Sequence, residues 1–227
     1  MIDWDDTIGD FRQAELHALQ DIYVNYDLQR VYADFQSFYD IYHPYNLHLW
    51  DLYGYGKITK EELEFERFYH PIKVLPDSEQ IASQIGKKFL RLTTHYFSLL
   101  PQAAESVRTL AAHYPLTVVS NGFVEVQYEK IRRSGLEDCF QHVVLSEEAG
   151  VQKPDAAIFE YALRLNGIGK EDALMIGDRW SSDIQGALNA GIDQMWITLT
   201  PPDDNHPSTY WVKSLSEAVS RLTVELS

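Results

Sequence analysis

From residue 116 onward the chain alternates short β-branched runs with helical patterns, and this alternation restricts the fold more than any other feature. The apolar runs 116–119, 143–145 and 174–176 are each followed by a helical period, near 126–133, 156–165 and 184–190. Parallel strands cannot be joined by a tight turn and need a crossover, usually a helix. The pattern therefore predicts an α/β fold, a Rossmann-like parallel sheet with helices on both faces. Gly135, Gly167 and Gly191 stand just beyond the three helices, where a left-handed C-cap is commonly needed. A run at 195–199 supplies another strand and 216–222 a last helix. Ligands of open parallel sheets lie beyond the carboxyl ends of the strands, so polar residues that follow these runs are expected to meet along one edge.

The first half differs. Phe11, Ala14, Leu16, Ala18, Leu19, Ile22, Tyr23 and Tyr26 fall on one helical stripe, and Tyr32, Phe35, Phe38, Tyr39 and Tyr42 on a second. Asp10 with Gln13, Thr59 with Glu62, and Asp77 with Gln80 have the spacing of capping boxes. No strand pattern is present there. The organisation read from this is an α/β core of residues 1–13 and 91–227, interrupted by an all-helical domain at 14–90.

Four polar motifs occupy the ends of the expected strands. The chain begins Met1-Ile2-Asp3-Trp4-Asp5-Asp6-Thr7, a D-x-D-x-T run. Two carboxylates one residue apart at a strand end can do different jobs if they are oriented differently, one attacking while the other carries a proton. Ser120-Asn121-Gly122 follows the run 116–119, and a hydroxyl with exposed N–H groups at a strand-to-helix turn suits phosphate oxygens. Lys153, before Pro154, brings an ammonium to neutralise phosphate and carboxylates. Gly177-Asp178 closes the run 174–176, with Asp183 five residues on, an acidic pair that suits Mg2+. Singly, each motif is an ordinary turn, helix start or N-cap. Together, in order and each at a different strand end, they form a site.

These motifs resemble the haloacid-dehalogenase superfamily, whose four signatures are matched by Asp3-x-Asp5-x-Thr7, by Ser120, by Lys153, and by Gly177-Asp178 with Asp183. The resemblance covers essentially the whole chain. It implies that Asp3 is a nucleophile forming an aspartyl-phosphate, and that Asp5 protonates the leaving oxygen and then activates water. Ser120, Asn121 and Lys153 would hold the phosphoryl group. Mg2+ would be bound by Asp3, the Asp5 carbonyl and Asp178, with Thr7 and Asp183 behind them. Dehalogenases of the superfamily lack the second aspartate, because halide leaves without a proton and an alkoxide does not; Asp5 therefore points to a phosphatase.

A narrower resemblance rests on Asn46-x-x-Leu49-Trp50, Gly56-Lys57-Ile58-Thr59, Ser120-Asn121-Gly122-Phe123 and Ser146-Glu147-Glu148-x-Gly150-Val151-x-Lys153-Pro154. These look like the pyrimidine nucleoside 5'-monophosphate phosphatases, the 5'-nucleotidases that carry a helical cap. Tyr42, Tyr45, Trp50 and Tyr53 are then candidates for stacking on a base, against a bulk role in the cap's own core. Residues 51–63 mimic a calcium-binding loop in their glycine, isoleucine and final glutamate, but Tyr53 and Tyr55 stand where oxygen ligands belong, so a glycine turn into a capped helix is expected.

Composition excludes some partners. Nineteen basic against thirty-four acidic residues give a net charge of -15, which repels nucleic-acid polymers and anionic membranes and leaves a small phosphate ester as the expected partner. The single Cys139 fits a reducing compartment, and the absence of a signal or spanning segment makes a cytoplasmic protein the expectation. Oligomeric state is not legible. Only Met1 and Ile2 precede Asp3, so the central strand is expected to be truncated, losing buried side chains worth roughly 1.5–3 kcal/mol each. A free α-amino group would then compete with Mg2+ for Asp3. A start assigned too far downstream is the expected account of this, and a catalytically impaired phosphate-ligand binder or a sugar-phosphate phosphatase are the competing readings.

Overall fold

The computed structural model describes residues 1–203 and 206–224, in two compact units: Met1–Asp10 with Ser98–Ser227, and Phe11–Phe97. The sequence places the insertion at 14–90; the helical unit spans Phe11–Phe97.

The helical unit contains α1 (Phe11–Asn25), α2 (Phe35–Gly54), α3 (Lys60–Ile72) and α4 (Ser78–His95). Ala14, Ala18, Leu19, Ile22 and Tyr23 are the buried stripe of α1, whereas Leu16 is only half-buried and its neighbour Glu15 lies inside. Phe38, Tyr42, Phe68, Ile85 and Phe89 complete the core, with Tyr42 stacked 5.3 Å from Phe68. Tyr42 and Tyr53 are thus core residues, while Tyr45 stacks on His70 at 4.0 Å and Trp50 meets Tyr53 edge-on.

Helix starts follow the sequence unevenly. Thr59 and Glu62 make both bonds of a capping box: the Glu62 N–H donates to Thr59 Oγ1 at 3.2 Å and the Thr59 N–H to Glu62 Oε2 at 2.8 Å. Asp77 makes no cap bond; its backbone is not extended there, and its carboxylate lies 3.8 Å from Arg30. Asp34, which carries no capping-box partner, caps α2 by accepting from Ser37 at 2.7 Å. Residues 51–54 of the calcium-loop mimic are the last turn of α2, and Gly56 turns the chain at φ 65°.

Inside this unit Glu15 accepts from Asn46 Nδ2 at 3.1 Å and lies 3.7 Å from His43. Arg67, 1% exposed, lies over Phe89 at 4.7 Å, and among the described residues its Nε and Nη2 find no hydrogen-bond partner.

The α/β unit begins with the residues that precede α1 and resumes with α5 (Ala103–His113). It continues through β1 (Thr117–Ser120), α6 (Val124–Ser134), β2 (His142–Leu145), α7 (Ser146–Ala149), α8 (Ala156–Asn166) and β3 (Leu174–Gly177). A π-helical turn, Trp180–Ile184, leads into α9 (Gln185–Ala190), followed by β4 (Asp193–Ile197), β5 (Tyr210–Val212) and α10 (Leu215–Val224). All strand pairs are parallel. Gly135, Gly167 and Gly191 adopt φ of 65°, 64° and 69° as left-handed C-caps. The strand β5 carries no period of its own; its register against β4, Met195 opposite Tyr210, gives it its place.

Ile2 joins the ladders. It bridges Val118 on one side and Ile176 on the other, giving the order β2, β1, Ile2, β3, β4, β5. The Ile2 N–H donates to Thr117 O and its carbonyl accepts from Val119; the Asp3 N–H donates to Ile176 O, all at 2.9 Å. These few residues therefore make the ladder bonds of a central strand. The Met1 ammonium donates to Leu174 O at 2.8 Å, at the opposite end of β3 from Gly177, rather than approaching Asp3 as the sequence suggested. Among the described residues no helix is long and apolar enough to cross a membrane.

Candidate active site

The sheet order brings four strand ends together. Asp3 follows Ile2, Ser120 ends β1, and Asp178 follows β3; Lys153 arrives from the loop before α8, across a cis bond to Pro154. Lys153 is 2% exposed, and its Nζ donates to Asp3 Oδ1 at 2.6 Å, Asp183 Oδ1 at 2.7 Å and Val119 O at 2.7 Å. The ligand oxygens of Asp3, Asp178 and Asp183 lie within 4.8 Å of one another.

This crowding has an electrostatic consequence. Burial, and then the charges of Asp183 and Asp5, push the Asp3 carboxyl up to about 7 against the pull of Lys153. Asp178 is held well above the usual carboxylate range by burial and by Asp183, Asp3 and Asp6. Burial would lower the Lys153 ammonium, but Asp183 and Asp3 outweigh it and keep that lysine charged. One buried cation thus faces three carboxylates, and an oxygen-liganded divalent ion suits the remaining negative charge.

The three acids differ in their engagement. Asp183 accepts from Lys153, from Ser182 Oγ at 3.1 Å and from the Arg179 N–H at 3.0 Å, so protein donors occupy both its oxygens. Its close packing requires Gly177, where a Cβ would lie 2.5 Å from Asp183 Oδ2. Among the described residues the Asp178 carboxylate receives only a long 3.3 Å contact from Thr7 Oγ1, and its backbone carbonyl is held by the Trp196 indole N–H at 2.7 Å. Trp196 sits opposite Gly177 in the β3–β4 register.

Asp5 is not one of these three acids. The chain turns sharply after it, with Asp6 at φ 60° and the Ile8 and Gly9 N–H groups both donating to Trp4 O. Its carboxylate accepts from Lys130 Nζ at 2.7 Å and from Gln127 Nε2 at 2.9 Å. Gln127 also donates to Ser120 Oγ at 2.7 Å, and the Gly122 N–H donates to the same oxygen at 3.1 Å. With that oxygen accepting two bonds, its own proton is left to donate elsewhere. Both polar atoms of the Asn121 side chain are engaged on the Lys153 backbone.

Gln127, Lys130 and Trp196 were not anticipated. The first two had a signal: with Val126 and Ile131 they make up the buried face of α6, so two polar residues occupy positions that the helical period assigns to the interior. Trp196 had none, because a tryptophan in a strand reads as core.

The haloacid dehalogenase-like hydrolase family matches residues 1–197 of this chain. The pyrimidine 5'-nucleotidase YjjG of Escherichia coli is 31% identical over 222 residues, covering 95% of this chain and 93% of that protein. The pyrimidine 5'-nucleotidase PynA of Streptococcus pneumoniae is 33% identical over 198 residues, covering 86% and 81%. The magnesium-bound crystal structure of YfnB from Bacillus subtilis, named as a HAD-hydrolase, superposes with a TM-score of 0.85 at 31% identity, covering 98% of this chain and 96% of that one. The chain belongs to the haloacid dehalogenase-like hydrolases. Within that family it is a phosphatase, a phosphoric monoester hydrolase.

Proposed function

We propose that the chain is a Mg2+-dependent phosphatase that hydrolyses small phosphomonoesters through an aspartyl-phosphate, with pyrimidine nucleoside 5'-monophosphates as its substrate class. The observation that carries the chemistry is the buried Lys153, bonded to Asp3 and Asp183 within a three-carboxylate cluster at the strand ends. Similarity to two pyrimidine 5'-nucleotidases supports the substrate class. The lone Cys139 supports a cytoplasmic setting.

In the first step an Asp3 oxygen attacks phosphorus. The O–P bond forms as the bond to the leaving oxygen breaks, and that oxygen takes the proton of the Asp5 carboxyl. Water then attacks the phosphoaspartate phosphorus and yields its proton to Asp5, and phosphate departs with the Asp3 carboxylate restored. Phosphoryl transfer needs little beyond alignment and charge neutralisation. Lys153 and the Ser120 hydroxyl are the donors for the phosphoryl oxygens. The donor set is all oxygen, which fits Mg2+: Asp3, Asp178 and the Asp5 carbonyl would hold it, with Asp183 behind them. When bound, it would neutralise phosphoryl oxygens and the crowded carboxylates.

The test is hydrolysis by the purified chain, with Mg2+, of pyrimidine and purine monophosphates, sugar phosphates and p-nitrophenyl phosphate. Pyrimidine monophosphates are expected to give the highest kcat/KM, and Asp3→Asn to abolish turnover of all. Sugar phosphates leading would overturn the substrate class; full activity of Asp3→Asn would overturn the mechanism.

A further inference from the structure

Two buried polar residues of α6 hold the Asp5 carboxylate, and neither belongs to the four motifs. Gln127 and Lys130 are three residues apart and share a helix face. Gln127 is fully buried and Lys130 is 2% exposed. Burying an ammonium is costly without a close anionic partner, and the 2.7 Å bond to Asp5 Oδ1 supplies one. The other Asp5 oxygen receives Gln127, whose Nε2 also reaches Ser120 Oγ. The pair thus grips both oxygens of one carboxylate and ties it to the Ser120 hydroxyl.

The backbone makes room for this arrangement. A Cβ on Gly122 would collide with the Gln127 amide, so the turn after β1 admits the glutamine side chain only because residue 122 has none. Gly122, Gln127 and Lys130 together form a fixture around Asp5.

We propose that Gln127 and Lys130 are positioning residues that orient the Asp5 carboxyl group for proton transfer to the leaving oxygen. The inference rests on the reading of Asp5 as the acid/base. It predicts dependence on the leaving group, because an alkoxide needs a proton as it departs, whereas p-nitrophenolate leaves without one. A residue that merely stabilises the fold, or merely holds phosphate, would affect both kinds of substrate alike.

The experiment measures leaving-group release in single turnover, with enzyme in excess and Mg2+ present, for a nucleoside 5'-monophosphate and for p-nitrophenyl phosphate. The enzymes compared are wild type, Lys130→Met, Lys130→Arg, Gln127→Met and Gly122→Ala. Lys130→Met should slow alkoxide release at least about tenfold more than nitrophenolate release, within the usual range of general acid catalysis. The half-saturating enzyme concentration should change little, and Lys130→Arg should restore most of the loss. Gln127→Met and Gly122→Ala should show the same asymmetry, smaller in size; they keep the test available if Lys130→Met does not fold. Equal losses on the two substrates, or a change confined to the half-saturating enzyme concentration, would overturn the inference. A wild-type enzyme inactive on both would instead refute the function on which it rests.

Discussion

Asn121 and Lys153 are joined by two hydrogen bonds across 32 residues: Asn121 Nδ2 donates to Lys153 O at 2.8 Å, and the Lys153 N–H donates to Asn121 Oδ1 at 2.9 Å. The amide matches a backbone donor and acceptor at once and fixes where the Lys153 side chain starts. Asn121→Ala would leave both backbone groups unpaired, at a cost of about 1–3 kcal/mol each where they are buried. The expected outcome is a lower thermal midpoint and a fall in kcat/KM without a change in leaving-group dependence. Unchanged stability together with unchanged kcat/KM would contradict the link.

Gly177 permits Asp183 to approach the strand end. With a Cβ 2.5 Å from Asp183 Oδ2, Gly177→Ala must displace that carboxylate, and overpacking of this kind costs about 1–3 kcal/mol. Loss of activity should accompany the loss of stability, since Asp183 holds Lys153. Differential scanning calorimetry and initial rates on the same preparation check both.

Stability of the metal-free protein should depend on pH in a defined direction. Burial raises Asp3 to about 7 and lifts Asp178 as well, above the unfolded carboxylate range near about 4. A raised folded-state pKa means the native protein binds these protons more tightly than the unfolded chain. That contribution is complete below the unfolded value and is lost as pH rises towards 7. The midpoint in EDTA should therefore fall between about pH 5 and pH 7.5, and Mg2+ should restore it most at the higher pH. A midpoint that rises over that interval, with no Mg2+ effect, would contradict this.

Arg67 in the helical unit is a buried cation whose Nε and Nη2 lack partners, and burial pulls its guanidinium below the ordinary value. Replacing a poorly satisfied buried charge by an apolar side chain of similar size is often neutral or stabilising. Arg67→Met should keep or raise the thermal midpoint, as chemical denaturation can measure. A loss above about 3 kcal/mol, typical of breaking a buried pair, would show that Glu15 or Glu64 depends on that charge.

Much of this was legible along the chain. The alternation after residue 116, the glycine C-caps and the Thr59 capping box depend on contacts within a few residues, so local periodicity reveals them. Asp77 shows the limit of that reasoning. It has the spacing of a cap, but the preceding turn leaves its backbone in a conformation that cannot cap, and Arg30 is near enough to pair with it. Glu15 fails the pattern differently, since a carboxylate on the inner face of α1 makes sense only once Asn46 and His43 are beside it.

The order of the motifs and their chemical types followed from the sequence alone, because strand ends and the residues after them are local facts. Which atoms touch was decided by tertiary structure. Sequence proximity cannot say that Lys153 reaches Asp3 from 150 residues away, that Asn121 serves Lys153, or that Lys130 pairs with Asp5 from 125 residues away. The physical reason is burial. In water these charges would stay solvated and separate, and only a sheet that excludes solvent at its edge makes each pairing necessary.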